Sequence, residues 1–248
     1  MKPSNKARLG RKAFVSGTLL AATSLAACKA GQKAREGIAG EPGPYQPEFY
    51  KVLSPTEYDR RAMLAVIQVD RPHKQVFSAS VLGLQPSARY AALFAHMQFA
   101  MNGYDFSLGG RRGKLATLGV MSGQACLLSL TDAMWTKYRI GRLFDAARTN
   151  VYWVAKSNLD LTSSPNDPHG VYQDWSAEAV RRRGGTFMVC HTALTKIAMR
   201  CASENGSDGA TVLSDLVSNL RPGCLLVPSG VTAVQLAQEH GWKLYTIA

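Results

Sequence analysis

The stretch GTFMVCHTALTKIAM, Gly185 to Met199, decides how the chain folds. Thr186 to Cys190 is a short β-rich apolar run, and a helical pattern, TALTKIAMRCA, begins almost at once after it. A strand that stops on a thiol and turns directly into a helix is the corner of a βα unit. In parallel α/β sheets such corners carry function, because helix N-termini there present free N–H groups and a partial positive charge.

Working outward, the same alternation recurs. KQVFSASV (Lys74 to Val81) reads as a strand, followed after Pro86 by the helix SARYAALFAHMQFAMNG, closed by Gly103. KLATLGVM (Lys114 to Met121) reads as a strand buried on both faces, and Ser122-Gly123 turns it into the helix QACLLSLTDAMW. Beyond the corner come a helix through Asn219, the strand CLLVP, the helix VTAVQLAQEHG and a final strand WKLYTIA. Strands alternating with helices predict an α/β fold, a three-layer α/β/α sandwich on a mainly parallel sheet of about five strands. Residues 54–248 form this domain, which opens on a helix from Ser54-Pro55-Thr56-Glu57 through about Val66. The segment at about 144–175 is an insert, aromatic for a connection at Tyr152, Trp153, Tyr172 and Trp175, around the loop chemistry of SSPNDPHG.

The first 27 residues are of a different kind. Lys2, Lys6, Arg8, Arg11 and Lys12 precede the apolar run AFVSGTLLAATSLAAC, with no acidic residue among them, which predicts an export signal. GRKAFVSG resembles a twin-arginine signal with Lys12 in place of the second arginine. Leu25-Ala26-Ala27-Cys28 resembles a bacterial lipobox, implying cleavage before Cys28, lipid attachment to its sulfur and a membrane-anchored protein on the periplasmic side. Residues 28–53, rich in Gly, Pro and charge, are a flexible tether. The formal charge of +12 falls to +7 without the five signal cations. Since the Arg181 to Arg183 run also suits the last turn of a helix, no nucleic-acid partner is expected.

Four further cysteines, Cys126, Cys190, Cys201 and Cys224, match no CxxC pair, and the five histidines are scattered singly. Neither a metal site nor a cofactor is expected. Sequence leaves open any disulfide pairing among the four. At the corner, the dipole of the following helix favours the nucleophilic thiolate form of Cys190, with Lys196 and Arg200 as further cations and His191 as a neighbouring base. Lone strand-end cysteines also serve simply as packing. The loops at about Leu82 to Gln85, Ser122 to Ala125 and Cys190 to Thr192 should converge on one sheet edge, joined by Pro228-Ser229-Gly230. Ser122, Gly123, His191, Ser229 and Gly230 are therefore candidate ligand-binding residues beside Cys190. Gly123 and Gly230 permit close backbone approach to an anion such as thiosulfate or a persulfide, or else satisfy tight turns alone.

The segments GVMSGQACLLSLTDAMWTKY, GTFMVCHTAL and CLLVPSGVTAVQLAQEHGWKLYTI together resemble the DsrE/DsrF-like family, over roughly Lys74 to Ala248 without the insert. The resemblance implies a flavodoxin-like fold, a homo-oligomer, and a persulfide-carrying cysteine at the position of Cys190. It implies as partner a small sulfur-containing ligand or a sulfur-carrier protein. Two positions depart from the exported members: His191 stands where they tend to have glycine, and Ser122 where they tend to have histidine. A non-catalytic binding or assembly module, with Cys190 in the core and Tyr152, Trp153 and Trp175 as partner surface, is the alternative.

Overall fold

Apolar runs separated by helical segments form a sheet with helices on both faces. The computed structural model describes residues 51–83, 90–109 and 112–248. The signal, Cys28, most of the tether and the Gln85-Pro86 stretch lie outside the described residues. In chain order the elements are α1 (Arg60–Ile67), β1 (His73–Ala79), α2 (Ala92–Asn102), β2 (Leu115–Met121), α3 (Asp132–Lys137), α4 (Ile140–Leu143), α5 (Ala177–Arg182), β3 (Thr186–Cys190), α6 (His191–Asn205), α7 (Gly209–Ser218), β4 (Cys224–Val227), α8 (Gly230–Glu239) and β5 (Lys243–Ile247).

All five strands pair in parallel, in the order β4-β3-β2-β1-β5, giving the expected α/β sandwich of flavodoxin-like layering. The chain steps from β1 to β4 in one direction and then returns across the sheet to lay β5 beside β1. Crossovers between parallel strands are right-handed, so reversing the direction of travel moves the connecting helix to the opposite face. The burial pattern agrees. Phe77, Ala79, Phe187 and Val189 pack with Leu93 and Phe94 of α2 and Leu194 and Ala198 of α6. On the other face Val76, Leu118, Val120 and Met188 pack with Met63 and Ile67 of α1 and Val234 and Ala237 of α8. Trp242 Nε1 donates to the Ile67 carbonyl at 2.8 Å, tying α1 to the approach of β5.

Several local expectations need correction. The first helix starts at Arg60, capped by the Asp59 carboxylate, because Ser54 and Glu57 close a separate turn in which Ser54 N–H donates to Glu57 Oε2 at 2.8 Å. Gly103 is the C-cap of α2, as expected, but it does not stop the helical winding. Its φ of −57° and ψ of −47° are helical, and the chain continues as a π-turn over Gly103–Ser107. After β2 the anticipated single helix is a 3-10 turn, Gly123–Ser129, followed by the short α3.

The insert is largely interior. Tyr152, Trp153 and Tyr172 are buried, and Trp153 meets Phe94 and Phe187 with ring centroids 6.3 and 5.9 Å apart. Tyr152 and Trp153 are therefore not exposed partner contacts. Buried polar groups fix the backbone around them: Asn150 Nδ2 donates to the carbonyls of Leu128 and Leu130 at 2.8 and 2.9 Å. The Asp174 carboxylate accepts from the backbone N–H groups of Lys156, Ser157 and Ser176. Such bonds are expected wherever irregular backbone leaves water.

Candidate functional site

The reversal of travel has a local consequence. From the end of β3 the chain leaves to one face as α6, and from the end of β4 it leaves to the other as α8. Adjacent strands whose connections part in this way open a crevice at their carboxyl ends, the position where open α/β sheets bind ligands. A cavity of about 400 Å³ occupies it, lined by Cys190, Gly123, Ser229, Lys196, Arg200 and Phe144, among others. Thr192 Oγ1 donates to the Pro228 carbonyl at 3.1 Å and holds the two departing segments together.

Cys190 is the N-cap of the 15-residue α6, and its Sγ accepts the Ala193 N–H at 3.4 Å. Sulfur thus stands where serine or aspartate caps other helices, aligned with the positive end of the helix. Its residue surface is only 5% exposed, yet it lines the cavity, so the crevice gives access to it. Lys196 and Arg200 lie roughly two and three turns beyond Cys190 along α6 and line the same cavity. Arg200 is fixed: its guanidinium donates to the Leu143 carbonyl at 2.7 Å and lies 4.7 Å from the Phe144 ring centroid. The site therefore joins a capping thiol, two side-chain cations and an aromatic wall, which suits a small anion with an apolar or sulfur-rich part.

The other candidates fall into place around this. Gly123 lines the cavity at a φ of +47°, and a Cβ there would lie 2.6 Å from the Ser80 carbonyl oxygen, so both conformation and space require glycine. Ser122 turns its hydroxyl to the Ala79 carbonyl at 3.1 Å, which makes it part of the turn. Gly230 brings its backbone against the thiol: a Cβ there would meet those of Cys190 and Ser122 at 3.3 and 3.4 Å. Ser229 lines the cavity, whereas His191, buried, does not. The His191 imidazole is held below its ordinary pKa by burial and by Lys51, opposed by Glu57, which places it toward the segment preceding α1. Leu82, in the loop after β1, is packed in the core.

The remaining described cysteines are free thiols of a different character. Burial pushes Cys126 well above the usual thiol range, with Cys190 adding to the rise, and its Sγ donates to the Met121 carbonyl at 3.2 Å. Burial also raises Cys201 to about 11 and Cys224 to about 12. Phe144 is the site residue that sequence did not offer, since nothing in its surroundings marks a loop phenylalanine as the wall of a distant strand end. A separate cavity of about 310 Å³ lies along the insert, between Tyr90, Lys156, His169 and Trp175, and contains none of the candidate residues around Cys190, although Tyr152 and Trp175 of the alternative partner surface line it.

Among the described residues no three His, Cys, Asp or Glu side chains are grouped to hold a metal ion, and no helix is long and apolar enough to cross a membrane. The class that fold and site define is a flavodoxin-like α/β sandwich with a capping thiol at its strand-order reversal. Comparison with protein-family models, with curated proteins and with solved structures finds no match.

Proposed function

We propose that this is an exported, lipid-anchored DsrE-like protein whose Cys190 accepts and hands on sulfur. The observation that carries the reading is the thiol of Cys190 capping α6 inside the crevice, with Lys196 and Arg200 beside it. The helix end and the two cations attract anionic sulfur species and stabilise negative charge on the sulfur that receives them.

The chemistry needs no outside oxidant. The Cys190 thiolate attacks a sulfur of a polysulfide, the new S–S bond forms as the donor's S–S bond breaks, and the shortened polysulfide leaves with the electron pair. With thiosulfate the leaving group is sulfite. A carrier-protein thiolate then takes the outer sulfur by the same exchange, restoring Cys190.

Intact-mass measurement after incubation with polysulfide or thiosulfate tests this. The expected result is a gain of one sulfur atom that is absent in Cys190→Ser and slower in Lys196→Gln and Arg200→Gln. No gain, or a gain that survives Cys190→Ser, removes the role.

A further inference from the structure

A second site is built by residues that the thiol chemistry does not use. Arg139, Arg142 and Arg148 converge, with Thr136 and Thr149, on a cleft of about 530 Å³ whose floor includes Trp135. They are brought together by a strained turn on either side of α4. Arg139, its N-cap, has a φ of 50° and Asp145, just after it, a φ of 52°, two of the three non-glycine residues with positive φ among the described residues. Side chains other than glycine pay for this region of backbone space, and such strain is retained where surrounding structure and function demand it. The loop also comes back very close. A Cβ on Gly141 would lie 2.2 Å from the Ala147 carbonyl oxygen, so only glycine lets residues 147–149 lie against α4, which brings Arg148 to the cleft that Arg139 also lines.

The charges in this cleft are unbalanced. Arg142 pairs with Glu204 of α6, as Arg183 does with Asp105 and Arg221 with Asp132. Among the described residues Arg139 and Arg148 make no ion pair or side-chain hydrogen bond. Asp145 lies on the same loop but does not line the cleft. Guanidinium groups offer paired N–H donors in the spacing of a tetrahedral oxyanion, and threonine hydroxyls add neutral donors.

We propose that this cleft binds a tetrahedral oxyanion of the phosphate or sulfate class, free or as the ester of a larger molecule. The site stands independently of sulfur transfer at Cys190. Its loop also carries Phe144 into the thiol cavity, so an anion that orders the turn orders one wall of that cavity.

Calorimetric titration of the full chain with inorganic phosphate, and separately with sulfate, at constant ionic strength in chloride tests the assignment. Saturable binding at one site is expected, weakened about tenfold by Arg139→Gln or Arg148→Gln and abolished by both together. Arg60→Gln with Arg61→Gln, which removes the same charge from α1, should leave it unchanged. Absence of saturable binding, or equal weakening by the α1 pair, overturns the site. Phosphatidylglycerol vesicles, with phosphatidylcholine vesicles as the control, decide the source. Displacement of phosphate by the former alone assigns the anion to a lipid headgroup, and no displacement assigns it to a soluble ligand, each upholding the cleft. Chemical denaturation of every variant shows whether a lost signal reflects lost folding.

Discussion

At the scale of single residues, the four cysteines between positions 126 and 224 divide into one exposed to chemistry and three withheld from it. Cys190 opens on a cavity, while burial holds Cys126, Cys201 and Cys224 above their ordinary range. Thiolate is the reactive form, so iodoacetamide near pH 8 should label Cys190 alone in this set in the native protein and all four after unfolding. Peptide mapping reads the result. Equal labelling of Cys126 or Cys201 in the native state would contradict their full burial, and equal labelling of the partly exposed Cys224 would contradict its raised pKa. His191 gives a pH prediction of definite sign. Its folded pKa lies below the ordinary 6.5, so as pH falls the unfolded state takes up the proton first. The stabilising difference is complete above about 6.5 and is lost as pH drops toward the folded value. The melting temperature should therefore fall from pH 7 to pH 5, and fall less in His191→Asn. Of this neighbourhood, sequence showed the thiol and its helix, because a strand end and a helix start are local. It did not show that His191 would lie outside the cavity that Cys190 lines, within reach of the charges of Lys51 and Glu57.

At the scale of elements, Arg183 fastens the insert to the sheet layers. Its side chain is 2% exposed and bonded to Asp105 Oδ2 at 2.8 Å, to Asn102 Oδ1 at 2.6 Å and to Gln98 Oε1, beneath the Tyr172 ring at 4.7 Å. From sequence the Arg181 to Arg183 run reads as cations in a helix's last turn, and Arg181 and Arg182 do end α5. Arg183 instead crosses to α2 and the π-turn, a partnership between residues about eighty positions apart that no local pattern carries. Replacing it with methionine leaves the Asp105 carboxylate without its partner, and breaking a buried pair from one side costs about 3–5 kcal/mol. Arg183→Lys, unable to reach three acceptors from one planar group, should recover little of that. Urea unfolding of both variants checks this, and a loss below about 1 kcal/mol would show that the network is incidental. The same distinction explains the misplaced helix ends. Asp59 outcompetes Ser54 because Glu57 engages Ser54 first, and the chain passes Gly103 before turning at Gly109, where φ reaches +58°. Capping residues advertise possible ends, and tertiary contacts choose among them.

At the scale of the molecule, alternation of strand and helix was enough to read the α/β class and the parallel sheet. The strand order was not legible, since apolar runs do not say which strand lies beside which. What the order contributes is the reversal between β3 and β4, which creates the crevice. It also makes β1 depend on a distant strand. Gln75 pairs with Lys243 and Ala79 with Ile247, whereas β1 meets β2 through a much shorter connection. Deleting residues 243–248 should expose the unpaired backbone edge of β1 and make the protein self-associate, as light scattering would report. Unchanged solubility and melting would show that β5 is dispensable.

The Gln75–Lys243 pairing also has a meaning in time. Loops that must close over most of a polypeptide do so late, because chain entropy opposes the encounter until nearer contacts have formed. Pulsed hydrogen exchange during refolding should therefore find the amides of Lys243 to Ile247 among the last to gain protection. Until then one side of a central strand stays open to any passing neighbour, and a holdase would be useful during that interval.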